Sequence, residues 1–354
     1  MKHAVSIVMI ARNEEARIES CIRSVIDASR GLDAEVILVD SASEDRTVEI
    51  AEKFDIRILR TPRDACQSAA LSRAIGALRC SGRYIQFIDG DMTMDSAWVR
   101  EALSYLEAAG PSIAAVAGEI RQNPTSNPYR EYRRRNLARM TRTREPKELK
   151  SLYGAFMIRA EVLRQVGSFD SHLKANEEGE LSDRILAAGY RIRLLPHLSS
   201  FHHVTGTEGF ILTLRRELGN YVMAGQLLRC SFRNGSLAFR LWQFKYCFLA
   251  AGFVLFGIAA LAGVLARFVP EPGSLWFIGL ALMAFALFIR EERRFANVFY
   301  YLVVYLSSWI FFGYGLLRPT EKPRPHRSPS GHRQPDAGFS IAAPKPHQDS
   351  FTAV

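Results

Sequence analysis

A chain of 354 residues has room for one large domain or two smaller ones, and its formal charge of +10 favours an anionic partner: a nucleotide, a phospholipid surface or nucleic acid. Its five cysteines, at 21, 66, 80, 230 and 247, form no C-x-x-C pair and no metal-ligand spacing, which excludes a cysteine metal site and fits a reducing compartment. The opening Met1-Lys2-His3-Ala4-Val5-Ser6-Ile7-Val8 enters a strand pattern directly, without the apolar core of a signal peptide, so the N-terminal part is expected to stay in the cytosol.

Strand and helix patterns then alternate. Residues 5–10 read as a strand, and 14–29 as a helix with Ile18, Cys21, Ile22 and Val25 on one face. A strand at 35–40, a helix at 45–54, a short strand at 56–59 and a helix at 65–80 follow. The apolar run 84–88 is a strand ending in Asp89-Gly90-Asp91, after which 98–108 reads as a helix, and 113–118 and 192–195 as strands. Short apolar strands alternating with amphipathic helices predict an α/β domain over 1–209 with a parallel sheet covered on both faces. In such sheets ligands bind beyond the carboxyl ends of the strands. Arg12-Asn13, Asp40-Ser41 and Asp89-Gly90-Asp91 all follow strand ends and should converge on one edge.

Beyond residue 209 the composition changes. Residues 210–240 form an amphipathic basic segment expected to lie on a membrane surface. The runs 246–266, 272–289 and 295–317 carry Trp or Tyr near several ends and are each about long enough to cross a bilayer, so 241–317 is expected to be a transmembrane region. The expected location is the inner cell membrane, multi-pass, with the catalytic domain cytoplasmic. Charge conflicts with part of this: three spans send the basic residues Arg318, Lys322, Arg324 and Arg327 outside. Residues 318–354 read as a disordered, basic, Pro-rich tail.

The acidic turn carries the chemistry. Two carboxylates around a glycine at a strand end offer hard oxygen ligands to Mg²⁺ or Mn²⁺, which can hold a diphosphate against the protein. The run 129–144 holds seven arginines, at 130, 133, 134, 135, 139, 142 and 144, a solvated helix face or a seat for anionic headgroups and the phosphate of a lipid-linked acceptor. Nucleic acid is not expected, since no aromatic interleaving accompanies it.

Five segments, in order, resemble glycosyltransferase family 2. Ser6-Ile7-Val8-Met9-Ile10-Ala11-Arg12-Asn13-Glu14-Glu15 is similar to the family's first strand and N-E turn, and Val39-Asp40-Ser41-Ala42-Ser43-Glu44-Asp45-Arg46-Thr47 to its V-D-x-x-S-x-D-x-T segment. Ala70-Leu71-Ser72-Arg73-Ala74-Ile75-Gly76 resembles the A-R-N-x-G helix, with Ala74 in place of Asn, and Asp89-Gly90-Asp91 the metal motif. The block from Gly154 through Phe169-Asp170 to Glu177-Glu178-Gly179-Glu180-Leu181 resembles the acceptor side, which ends in E-D-x-E-L.

The resemblance implies a GT-A fold (a Rossmann-like nucleotide-diphospho-sugar transferase) and inverting transfer from a nucleotide-sugar donor, with UDP-linked sugars the leading expectation, to a lipid-linked or polysaccharide acceptor. It assigns Asp40 and the Ala11, Asn13 and Glu14 turn to the nucleoside. Arg73 goes to the pyrophosphate or to a surface ion pair, Asp91 to the metal, and Asp89 to ribose or metal. The base falls at Glu178, one carbon longer than the usual Asp, with Glu177 left open and Glu180 read as a helix N-terminus. His202-His203 offer a further metal or phosphate contact, with His203 the residue assigned to the metal. A sugar nucleotidyltransferase of similar fold and a catalytically silent membrane scaffold are the rival readings. The first usually has a Gly-rich loop after its first strand, which Ala11-Arg12-Asn13-Glu14-Glu15 is not.

Overall fold

The computed structural model describes residues 2–61, 67–125, 128–203, 210–244, 248 and 310–318. They fall into two compact units, one from 1–124 and 133–204, the other from 125–132 and 205–320.

The first unit is built on a nine-stranded sheet. Its elements are β1 (His3–Ala11), α1 (Ile18–Ser29), β2 (Ala34–Asp40), α2 (Thr47–Ala51), β3 (Arg57–Arg60), α3 (Ala69–Arg79), β4 (Gly82–Asp89), β5 (Met92–Met94), α4 (Trp98–Ala108) and β6 (Ile113–Gln122). After α5 (Pro128–Thr141), whose first residues belong to the other unit, come β7 (Lys147–Glu148), β8 (Phe156–Arg159), α6 (Ala160–Val166), α7 (Glu177–Ala187) and β9 (Arg191–His202). The strand order is β3-β2-β1-β4-β8-β6-β9-β5, with β7 added along β9.

The four N-terminal strands in that order are parallel, as the alternation with helices predicts. The expectation of an all-parallel sheet is corrected by β8, which runs antiparallel to both β4 and β6, and by β5 and β7, antiparallel to β9. Apolar cores cover both faces. Ile18, Cys21, Ile22 and Val25 of α1 pack with Trp98 and Leu106 on one, and Ile75 of α3 with Phe87, Phe156 and Ile185 on the other.

Two elements differ from the sequence reading for the same reason. α1 starts at Ile18, four residues later than the pattern predicts: Asn13 holds a left-handed φ of 56°, and the next residues form a turn in which the Arg17 and Ile18 N–H groups both donate to the Glu14 C=O. The N–H groups of Asn13, Glu14 and Glu15 donate to Ser43 Oγ, Thr47 Oγ1 and Asp45 Oδ2 at 2.9, 2.7 and 3.0 Å. The Glu44 N–H in turn donates to Asn13 Oδ1 at 2.8 Å. Side chains at 43–47 thus satisfy N–H groups that a helix starting here would leave without an intrahelical partner and pin the stretch as a turn, and Asp45 also accepts from the Thr47 N–H, setting the start of α2. The turn after β1 and the loop after β2 are one latched structure. β6 and β9 run four and seven residues further than expected and stay paired to Gln122 and His202. β5, three residues long, is too short to show an alternation.

In the second unit α8 (Phe210–Asn234) and α9 (Leu237–Gln243) fill the segment expected to be amphipathic. Ala224 and Leu228 of α8 are buried with Phe312, and a side chain on Gly225 or Gly315 would meet the facing backbone, so these two segments touch through glycine. Among the described residues no helix is long and apolar enough to cross a membrane. The expected span 272–289, all of 246–266 except residue 248, and residues 295–309 of the third run lie outside the described residues, as does the tail from 319.

Candidate active site

Three parallel strands deliver the site. At the carboxyl ends of β1, β2 and β4 the chain turns out of the sheet, held by Ser41 N–H to Ala11 C=O and Gly90 N–H to Ile10 C=O, both 2.8 Å. Gly90 is required by this approach: a Cβ there would sit 2.8 Å from the Ala11 Cβ. Asp40, Asp89 and Asp91 are therefore gathered at one edge together with Ala11, Asn13 and Glu14.

Asp40 is buried. Its Oδ2 accepts from the Ser43 N–H at 3.1 Å, and its Oδ1 is buried without a hydrogen-bond partner. Ala42 beside it holds φ 53° and Asn13 across the turn φ 56°, left-handed conformations that a non-glycine residue adopts at a cost of about 1 kcal/mol or more. Glu14 binds Arg17 Nε at 2.8 Å. Its carboxyl is raised above the usual range by burial and then by the charge of Asp91.

Asp91 is held by a histidine at the end of β9. His202 Nε2 lies 2.9 Å from Asp91 Oδ2, and Gln122 Nε2 2.9 Å from His202 Nδ1. Burial acts to raise the Asp91 carboxyl, but the His202 bond, its charge and that of Arg17 outweigh it and the net shift is downward. His202 is shifted upward, burial being outweighed by Asp91. The expectation that His203 faces the acids is corrected: β9 extends through His202, so that residue meets Asp91, while His203 Nε2 lies 3.0 Å from Thr93 Oγ1. The extra length of β9, hidden in the sequence by Pro196 and His197, is what shifts the assignment by one residue.

The remaining acids meet Arg73. Its guanidinium, 1% exposed, donates from Nη2 to Asp89 Oδ1 at 2.6 Å and lies 3.2 Å from Glu178 Oε1, while Nη1 donates to Glu177. Burial pushes the Asp89 carboxyl up to about 6 against the pull of Arg73, and burial with the Glu178 charge pushes Glu177 up to about 7. Glu177 and Glu178 open α7 after Asn176, which holds φ 62°. Their side chains differ in access, 4% exposed for Glu177 and 16% for Glu178.

Glu180 stands apart from this cluster. It is buried against Arg184, with contacts of 2.7 to 3.0 Å, and Arg184 also donates to the C=O groups of Val166, Gly167 and Ser168. It closes the turn after α6, and more than a helix dipole is involved. Breaking a buried ion pair from one side costs about 3–5 kcal/mol. Glu180→Gln is expected to lose stability of that order in a denaturant melt, with turnover per folded molecule retained. Of the arginines in and after α5, Arg133, Arg135, Arg139, Arg142 and Arg144 are exposed, and Arg130 is buried.

A divalent cation fits two of the carboxylates. Asp91 Oδ1 is buried without a partner, and Asp89 keeps Oδ2 beside Gly154, where a Cβ would stand 2.8 Å away. Among the described residues no three His, Cys, Asp or Glu side chains are grouped as a complete metal site. Mg²⁺ and Mn²⁺ suit an incomplete one, bound through one or two carboxylates with substrate phosphates and water filling the rest.

A nine-stranded mixed sheet with acids at the ends of its parallel strands defines an α/β fold of GT-A type. Residues 6–167 match the family model described as Glycosyl transferase family 2, so this part of the chain is a glycosyltransferase domain of that family. It is 24% identical over 274 residues to glycosyltransferase AglE of Haloferax volcanii, covering 76% of this chain and 82% of that one. It is 27% identical over 205 residues to succinoglycan biosynthesis protein ExoA of Rhizobium meliloti, covering 56% and 62%. It spans 41% of the length of the pre-mycofactocin glycosyltransferase of Mycobacterium tuberculosis, to which it is 27% identical. In fold it is similar to the mannosyltransferase PcManGT of Pyrobaculum calidifontis, with a TM-score of 0.58, 16% identity, and coverage of 90% of this chain and 88% of that one. The family match sets aside the nucleotidyltransferase reading.

Residues 268–294 match a second family model, the PEP-CTERM protein-sorting motif. This overturns the multi-pass inner-membrane location: the second expected span falls within a sorting motif, and no described helix can cross a membrane. The segment is apolar and followed by arginines, and hydropathy reads only that composition and not the motif.

Proposed function

We propose that the chain transfers a sugar from a nucleoside-diphosphate sugar, UDP-linked in the leading case, to a saccharide acceptor, polysaccharide or lipid-linked, with inversion at the anomeric carbon. The observation that carries this reading is the pair of unpartnered buried oxygens, Asp40 Oδ1 and Asp91 Oδ1, at one sheet edge beside an accessible carboxylate, Glu178. Burying a carboxylate oxygen without a partner is costly, and a bound ligand that engages it recovers the loss.

In this reading Asp40 takes an N–H of the base, with the Ala11, Asn13 and Glu14 turn alongside. Asp91, with Asp89, would hold Mg²⁺ or Mn²⁺, which would supply charge neutralisation for the departing diphosphate. Glu178 accepts the proton of the acceptor hydroxyl as its oxygen bonds to the anomeric carbon and the bond from that carbon to the diphosphate oxygen breaks. Glu177, less accessible and paired with Arg73, supports that carboxylate. Succinoglycan biosynthesis in the name of one relative, and GDP-Man with Mn²⁺ in the PcManGT complex, favour a saccharide acceptor and a metal-assisted donor.

The test is a thermal-shift screen of UDP- and GDP-sugars with Mn²⁺, followed by release of nucleoside diphosphate from the best donor with oligosaccharide acceptors. A nucleotide sugar that stabilises the chain only with the metal and is turned over supports the reading. Stabilisation by nucleoside triphosphates and sugar phosphates alone, without sugar transfer, contradicts it.

A further inference from the structure

The geometry points to Arg73 as a positioning residue that ties the donor-side carboxylate of Asp89 to the acceptor-side carboxylate of Glu178, and not as a ligand of the donor's diphosphate. The assignment rests on the reading of Glu178 as the base. The sequence reading sent this arginine to the pyrophosphate, since a guanidinium suits phosphate oxygens. In the structure both terminal nitrogens are already engaged by carboxylates, and Nε, which has no hydrogen-bond partner, is buried. One nitrogen, Nη2, reaches Asp89 and Glu178 together, Nη1 is taken by Glu177, and the side chain is 1% exposed.

The helix carrying Arg73 is fixed from several sides. Ser68 caps α3 by accepting from the Leu71 N–H at 3.1 Å, and Ser72 Oγ lies 2.5 Å from Ser41 Oγ in the loop after β2. Gly76, one turn on, has no room for a Cβ against Val8, so the helix lies directly on the sheet. A rigid fork of donors on a fixed helix therefore sets the relative position of two acids that belong to different ends of the site. Glu178 would otherwise be free to turn about its side-chain bonds at the mouth of the cleft, and holding a reacting group in place is a large part of catalysis.

Three full-length variants test this: Arg73→Lys, Glu178→Gln and the two combined. Each is titrated with UDP and with GDP in Mn²⁺ by calorimetry, and assayed with the nucleotide sugar found in the screen. Arg73→Lys keeps the charge and loses the fork. It is expected to lower kcat about tenfold while nucleoside diphosphate Kd stays within about threefold. The double variant is expected to be no slower than Glu178→Gln, because the arginine acts through that carboxylate. A Kd that weakens in step with kcat would place the guanidinium on the diphosphate and overturn the proposal, as would effects that multiply independently. Normal turnover in Glu178→Gln would remove the base assignment, and the Kd of Arg73→Lys would still decide whether Arg73 touches the diphosphate. If Arg73→Lys does not fold, Glu177→Gln takes its place, removing one anchor of the guanidinium. It is expected to lower kcat several-fold at unchanged Kd, and an unchanged kcat would overturn the proposal.

Discussion

Asp91→Asn is expected to abolish the Mn²⁺-dependent stabilisation by nucleotide sugar and to lower turnover by well over 100-fold. The side chain keeps its size and its place beside His202, so the sheet edge stays intact, but the charge that a divalent cation needs is gone. The wild-type residue is held ready for that role: His202 occupies Oδ2 and, with Arg17, keeps the carboxyl ionised against the effect of burial, while Oδ1 is left buried and unengaged. Loss of a partner behind a metal ligand typically costs about 10–100-fold, and loss of the ligand itself should exceed that. His202→Gln is the matched control and should fall within that smaller range. Thermal shift with and without Mn²⁺, beside turnover, checks both. Normal metal dependence in Asp91→Asn would remove Asp91 from the site.

Glu178→Gln should separate chemistry from binding. A base acts on the acceptor proton in the transition state and adds little to holding the donor, so kcat is expected to fall by about 10²–10⁴-fold with donor KM nearly unchanged. Position in the fold favours this residue over its neighbour. Both lie in the first turn of α7 and both face Arg73, but Glu177 is closed in with 4% exposure and Glu178 keeps 16%, so only the latter presents an oxygen to an incoming hydroxyl. Steady-state kinetics under saturating acceptor reads the split. Equal losses in donor affinity and turnover, or no loss in either, would move the search to Glu177.

Much of the sheet edge that gathers the acids was legible from sequence because it is built on local patterns. Each of Asn13, Asp40 and Asp89-Gly90-Asp91 ends an apolar run, and in a parallel sheet such ends share an edge by construction. What the pattern could not show was contact across the sheet. The antiparallel β8 looks like any short apolar strand, and its direction is set by partners far along the chain. Arg73 was read as facing the edge, which is where the structure has it, but nothing in its helix announces that Asp89, Glu177 and Glu178 already surround it. That His202 and not His203 meets Asp91 was hidden because β9 runs on across Pro196, beyond the apolar run that marks the strand. The start of α1 was misjudged because the turn before it is pinned by a loop thirty residues away and holds Asn13 at a left-handed φ, neither of which the periodicity shows. Beyond residue 240, apolar composition alone did not separate a sorting motif from a membrane span.

The most direct measurement is an anomalous difference map, recorded at the manganese edge, of crystals of the chain soaked with Mn²⁺ and UDP or GDP. The account predicts one strong manganese peak bonded to the Asp91 carboxylate and the diphosphate, with Asp89 beside it and the nucleoside base against Asp40. Manganese bound away from the Asp89-Gly90-Asp91 turn, or a nucleotide seated without contact to Asp40 and Asp91, would contradict it.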